Sequence, residues 1–134
     1  VSHTSGMGLI ALSRVGKIGV DLEQKRPFPD SLDLVRRFFA PNEFDRFTQI
    51  PKEHWDSAFL RAWTRKEAIL KGVGQGIASL ADCEVGFDEG PEVPLYRLKE
   101  DHNPQQSWRI HSWEPTPEYI AAIAVEIAAH SKQG

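Results

Sequence analysis

Cysteine is almost missing from this sequence. Cys83 stands alone, so no internal disulfide can form, and a single thiol of this kind is read as a small packing residue in a reducing compartment. Long apolar runs are missing too. No stretch approaches the ~20 residues needed to cross a bilayer and no signal peptide is visible, so the expectation is a cytoplasmic protein with no membrane partner. Positive charge is in short supply: 16 Lys and Arg against 19 Asp and Glu leave a net charge of −3. That balance argues against nucleic acid as the main partner, although local basic clusters can still hold phosphates. Repeats and low-complexity tracts are absent. What remains is 134 residues, 40% hydrophobic and 26% charged, which fits one domain with a modest core and excludes fibre, coil or disorder. Val1 in place of Met is read as the start of a fragment or cleaved product.

The most informative stretch is Trp63-Thr64-Arg65-Lys66-Glu67-Ala68-Ile69-Leu70-Lys71, late in the longest helix-compatible run. On a helix Trp63, Glu67 and Lys71 share a face, with Lys66 one step round, so an acid and two bases can gather beside an aromatic wall. The same spacing also suits an ordinary solvated Glu67–Lys71 ion pair. A second stretch, Ile18-Gly19-Val20-Asp21-Leu22-Glu23, alternates like a half-buried strand and points Asp21 and Glu23 the same way. Two carboxylates on one strand face repel unless a cation lies between them or they sit at a solvated edge. Glu67 makes a third. An all-oxygen set with room for water and phosphate oxygens suits Mg²⁺.

Gly19-Val20-Asp21-Leu22-Glu23 followed by Trp63-Thr64-x-Lys66-Glu67-Ala68-x-x-Lys71 resembles the surfactin-synthetase-activating type of 4′-phosphopantetheinyl transferase. Ser2-His3-Thr4-Ser5-Gly6 resembles a third motif of that family in its expected place. The resemblance runs from Val1 to about Ala129 and corresponds to the latter part of a longer, two-halved protein. It implies transfer of phosphopantetheine from coenzyme A to a serine of an acyl or peptidyl carrier protein. It further implies Asp21, Glu23 and Glu67 as metal ligands, with Glu67 also accepting the serine proton. Lys66 and Lys71 would hold phosphates, Lys71 would protonate the leaving group, and Ser2 and His3 would meet the coenzyme's 3′-phosphate. The domain is then residues 1–134, with 1–16 the tail of a missing first half, and a fragment of this kind is expected to self-associate. The rival reading is a non-catalytic half that binds carrier protein or nucleotide; a magnesium phosphohydrolase on similar acids is a third.

The fold class expected is α+β: strand, three helices, strands, with a small antiparallel sheet. Met7–Ser13 and Ile18–Glu23 flank Arg14-Val15-Gly16-Lys17, which reads as a β-hairpin. Ser31 is placed as N-cap of a helix through Phe39, and a second helix covers about Asn42–Thr48. Arg36, Arg37 and Arg46 are read as a solvated face, or, by resemblance, as part of a surface that docks an acidic carrier. The third helix spans about Lys52–Gly72, and the alternating Gly72, Gly74 and Gly76 form its C-cap and exit turn. Strands follow near Cys83–Phe87, Val93–Leu98 and Ser107–Trp113. Periodicity leaves Tyr119–Ala129 open between helix and strand, and alanine content favours helix. The resemblance implies a strand there, paired with Ser107–Trp113 and with the acid-bearing strand.

Overall fold

The fold is described from a computed structural model covering residues 2–4, 7–9, 16–99, 101 and 103–127. In chain order the elements are β1 (Ser2–Thr4), β2 (Met7–Leu9), β3 (Ile18–Gln24), α1 (Ser31–Phe38), α2 (Pro41–Thr48) and α3 (Trp55–Val73). Then come β4 (Cys83–Val85), β5 (Glu92–Val93), β6 (Leu95–Leu98), the single turn α4 (Pro104–Ser107), β7 (Trp108–Thr116) and β8 (Tyr119–Glu126). The architecture is α+β, as expected.

The main sheet is antiparallel, in the order β3-β8-β7-β5, with α3 packed across one face. In β3, Gly19, Asp21 and Glu23 turn toward α3, while Val20 and Leu22 turn away and are themselves buried. Register carries the same face into β8, where Asp21 sits opposite Ala122 and Gly19 opposite Ala124. Those alanines are why β8 is a strand despite its helical composition. Ala122 and Ala124 are fully buried beneath α3, and only small side chains let the helix lie this close to the sheet. Pairing with both β3 and β7 follows the pattern implied by the resemblance.

Two expectations are corrected, and a third, the hairpin between Met7–Ser13 and Ile18–Glu23, falls largely outside the described residues; of those described, β2 pairs with β1, and β3 pairs with β8. Ser31 is the first helical residue and is buried, so it does not cap α1; Asp30 occupies the N-cap without a side-chain bond. Val93–Leu98 is two strands, because Pro94 has no N–H to continue a ladder; β5 joins β7 and β6 joins β4. The helix exit is as read. Gly74 has φ 79°, and its N–H bonds the carbonyls of Leu70 and Lys71.

The core lies between α3, the sheet and the α1–α2 pair, with Phe39, Phe47, Phe59, Ile69 and Leu70 at its centre. Asp56, in the first turn of α3, accepts the Phe28 N–H at 3.0 Å and fastens the loop after β3 onto the helix. Arg61 and Arg65 donate to the carbonyls of Phe87 and Gly86, both at 2.7 Å, and tie the helix to the chain beyond β4. No helix among the described residues is long and apolar enough to cross a membrane.

Candidate active site

The site is built where β3 crosses the second half of α3. The alternation of β3 aims Asp21 and Glu23 at the helix, and the helical repeat places Trp63, Glu67 and Lys71 along the adjacent stripe. Lys71 Nζ donates to Asp21 Oδ1 at 2.8 Å. The two partners differ in setting. Asp21 is only 3% exposed at its side chain, whereas Lys71 is 41% exposed and faces solvent on its other side.

The carboxylates press on one another. Burial, first, and then the hydrogen bond and charge of Asp21 push the Glu23 carboxyl up to about 8, against the pull of Arg26 and Lys71. Burial and the Asp21 charge also raise Glu67, and Lys71 offsets part of this. Arg26 Nη1 lies 3.9 Å from Glu23 Oε1, a loose pair. Three carboxyls thus share one close ammonium, Glu23 keeps its proton near neutral pH unless further positive charge is supplied, and every candidate ligand atom is oxygen. Such donors fit a hard divalent cation in kind, although among the described residues no three His, Cys, Asp or Glu side chains stand gathered round one point. Asp21 is instead turned onto Lys71.

Lys66 is placed elsewhere. It is fully buried, and its ammonium donates to Glu43 and to the Cys83 carbonyl while lying 4.4 Å over the Phe39 ring. Desolvation lowers its pKa, with Glu43 opposing. One helical step from Glu67 is about 100°, enough to turn Lys66 from the site into the core. The phosphate role expected for it has no support in this geometry. Ser2 lies opposite Leu9 and His3 opposite Gly8 in the small β1–β2 sheet, with β1 set against β3; their side chains lie outside the described residues.

Two features escaped the sequence reading. Glu43 is a fully buried hub, accepting the N–H of Ala40 at 3.0 Å and of Val85 at 2.9 Å as well as the Lys66 ammonium. Its position three residues after Ala40 carries a helix-capping signal, but the bond to Lys66 spans chain separation that no local pattern reveals. The second is a cleft of ≈ 830 Å³ whose lining joins Glu23 and Glu67 to Phe28, Leu34, Phe38 and Trp63, with Arg26 and Arg37. The acids thus open onto an apolar groove edged with positive charge. Cys83 takes no part: it is buried, and burial pushes its thiol up to about 12.

The family model of the 4′-phosphopantetheinyl transferase superfamily matches residues 17–124. The chain is 35% identical over 125 residues to the 4′-phosphopantetheinyl transferase HetI of Nostoc sp., covering 93% of this chain and 50% of HetI. It is 29% identical over 131 residues to the 4′-phosphopantetheinyl transferase Sfp of Bacillus subtilis, covering 97% and 54%. It therefore spans about half the length of these relatives. Among solved structures, the fold is shared with a holo-(acyl-carrier-protein) synthase from Bacillus anthracis in complex with CoA (3′,5′-ADP). There the TM-score is 0.60 at 21% identity, over 86% of this chain and 98% of that one. The holo-[acyl-carrier-protein] synthase of Thermotoga maritima gives a TM-score of 0.58 at 17% identity, over 86% and 65%. On the extent of the family match, the chain belongs to the 4′-phosphopantetheinyl transferase superfamily.

Proposed function

We propose that this chain transfers the 4′-phosphopantetheine group of coenzyme A to a serine hydroxyl of an acyl or peptidyl carrier protein. The observation that carries the reading is the meeting of Asp21, Glu23, Glu67 and Lys71 at one crossing of strand and helix, in a chain of this family. The serine oxygen forms a bond to the phosphorus nearer the pantetheine, and the bond from that phosphorus to the oxygen of the second phosphate breaks. Adenosine 3′,5′-bisphosphate leaves. Negative charge grows on the bridging and leaving oxygens, so catalysis consists mainly of positioning and neutralisation.

Asp21, Glu23 and Glu67 are the residues that would hold Mg²⁺, which supplies charge neutralisation on the pyrophosphate oxygens. Glu67, its carboxyl raised toward the working range of a base, accepts the serine proton. Lys71, half exposed and held by Asp21, reaches the phosphates and returns a proton to the leaving oxygen. Ser2 and His3 meet the coenzyme's 3′-phosphate in this reading. The cleft beside the acids, with Phe38 40% exposed and Arg26 and Arg37 near it, is the surface that receives the carrier. Residues 1–134 act as one domain, with 1–16 as the tail of a first half.

Incubation with coenzyme A, Mg²⁺ and an apo carrier protein tests this, read by the mass of the carrier. A gain of one phosphopantetheinyl group is the expected result. An unchanged carrier with intact coenzyme A would make the chain a non-catalytic half, and coenzyme A cleaved without transfer would make it a phosphohydrolase.

A further inference from the structure

Three of the four site groups, Asp21, Glu67 and Lys71, lie within two residues of a place where β3 and α3 touch backbone to backbone. A Cβ added to Gly19 would come well under 3.0 Å from the Ala68 carbonyl oxygen and the Gly72 amide nitrogen, both of them main chain of α3. A Cβ added to Gly72 would meet Cζ3 of Trp108 at 2.8 Å and Cη2 at 2.9 Å. Both neighbours belong to the main sheet: Gly19 of β3 lies beneath Ala68 and Gly72, and the Trp108 indole of β7 lies against Gly72. Asp21 is two residues beyond Gly19, Glu67 directly precedes Ala68, and Lys71 directly precedes Gly72. The position of every one of them is set by how close this seam is.

We infer that Gly19 and Gly72 are positioning residues that set the strand-to-helix distance at which Asp21 meets Lys71, and with it the reach of Glu23 and Glu67. Neither glycine adopts a left-handed backbone at the seam. Their requirement is closeness, not conformational freedom. The inference rests on the proposed transferase reading only for its kinetic readouts; the geometric claim stands apart from it.

The two glycines differ in what blocks a methyl group. Gly19 faces helix backbone, which cannot yield without moving the helix, whereas the tightest neighbours of Gly72 are outer-ring atoms of a side chain, which can be trimmed, with the Gly19 nitrogen looser at 3.3 Å. Gly19→Ala should push β3 off α3 by roughly 1 Å, a misplacement that costs on the order of 100-fold in rate where reacting groups must be aligned. The predicted pattern is asymmetric. Gly72→Ala loses activity and Trp108→Phe restores most of it, while Gly19→Ala is not restored by Trp108→Phe.

The experiment compares parent, Gly19→Ala, Gly72→Ala, Trp108→Phe and the two double variants. Its readouts are kcat and KM for coenzyme A, calorimetric affinity for Mg²⁺ with coenzyme A present, thermal melting, and the Asp21–Lys71 distance in crystal structures of the variants that fold. The expected result is a fall in kcat and weaker Mg²⁺ affinity in the single glycine variants that still melt cooperatively, with the Asp21–Lys71 contact opened. Gly19→Ala with parental kcat, parental Mg²⁺ affinity and an unchanged Asp21–Lys71 contact overturns the inference. So does a Gly72→Ala loss that Trp108→Phe leaves in place. If the parent itself transfers nothing, the functional reading fails while the distance in the variant crystals still decides the seam. Should Gly19→Ala not fold, the Gly72→Ala and Trp108→Phe pair decides alone.

Discussion

At the scale of single residues, the chain separates two lysines that the sequence sets five apart. Lys71 is exposed on one side and paired with Asp21, while Lys66 is sealed against Glu43. Removing one member of a fully buried pair leaves the other charge without solvent or counter-charge, which costs about 3–5 kcal/mol, whereas removing both together is often nearly neutral. Lys66→Met should therefore lower stability in urea by about that amount, and Glu43→Gln combined with Lys66→Met should recover most of it. A stable Lys66→Met variant with a raised KM for coenzyme A would instead return Lys66 to a phosphate. Glu23 gives a pH prediction. Its folded carboxyl titrates at about 8 against an ordinary 4.5, so between those values the folded state holds a proton that the unfolded state has lost. Stability of the metal-free chain should fall as pH rises through that window, and Glu23→Gln should flatten the decline. A slope that survives the substitution would assign it to other groups. The acids themselves were legible from alternation and helical spacing alone, because both periods are local. Glu43 was not, because its partners, Val85 and Lys66, lie on distant elements.

At the scale of elements, helices were easier to read than strand pairing. The apolar stripe of α3 depends only on its own sequence, and its exit followed from Gly74. Strand partners depend on residues far away. Among the described residues β3 pairs with β8, far along the chain, where Ala122 and Ala124 provide a surface flat enough for α3 to share. The resemblance supplied β8 as a strand; propensity pointed the other way. α1 carries a prediction of its own. Arg36 and Arg37 both lie 3.7 Å from Asp33, and all three side chains are more than half exposed, so these pairs contribute little to stability. Arg37 and Phe38 also line the cleft beside the acids. Arg36→Glu with Arg37→Glu should leave melting unchanged and weaken binding of an acidic carrier, with the loss shrinking as salt rises, since exposed charges are screened within about 10 Å at 0.1 M. Carrier titration at low and high salt checks this, and equal affinity at low salt would make the arginines a solvated face.

At the scale of the whole molecule, a chain half as long as HetI and Sfp matches nearly all of the Bacillus anthracis synthase fold. A unit of this size thus corresponds to nearly the whole fold of that synthase, and the proposed function leaves a face on which a second unit could sit. Ile18, Ile123 and Val125 share the sheet face turned from α3 and are half-buried. If that face serves such a meeting, the chain should self-associate, and sedimentation velocity across a hundredfold concentration range should show the weight-average mass rising. A constant monomer mass would remove the need for a second unit. In the proposed function Asp21, Glu23, Glu67 and Lys71 form one centre that binds coenzyme A together with Mg²⁺. Calorimetric titration of coenzyme A with and without Mg²⁺, on the parent and on Asp21→Ala and Glu67→Gln, tests it most directly. Binding should be Mg²⁺-dependent in the parent and lost in both variants, with melting within a few degrees of the parent; undiminished Mg²⁺-dependent binding in Asp21→Ala would show that the four groups are not one centre.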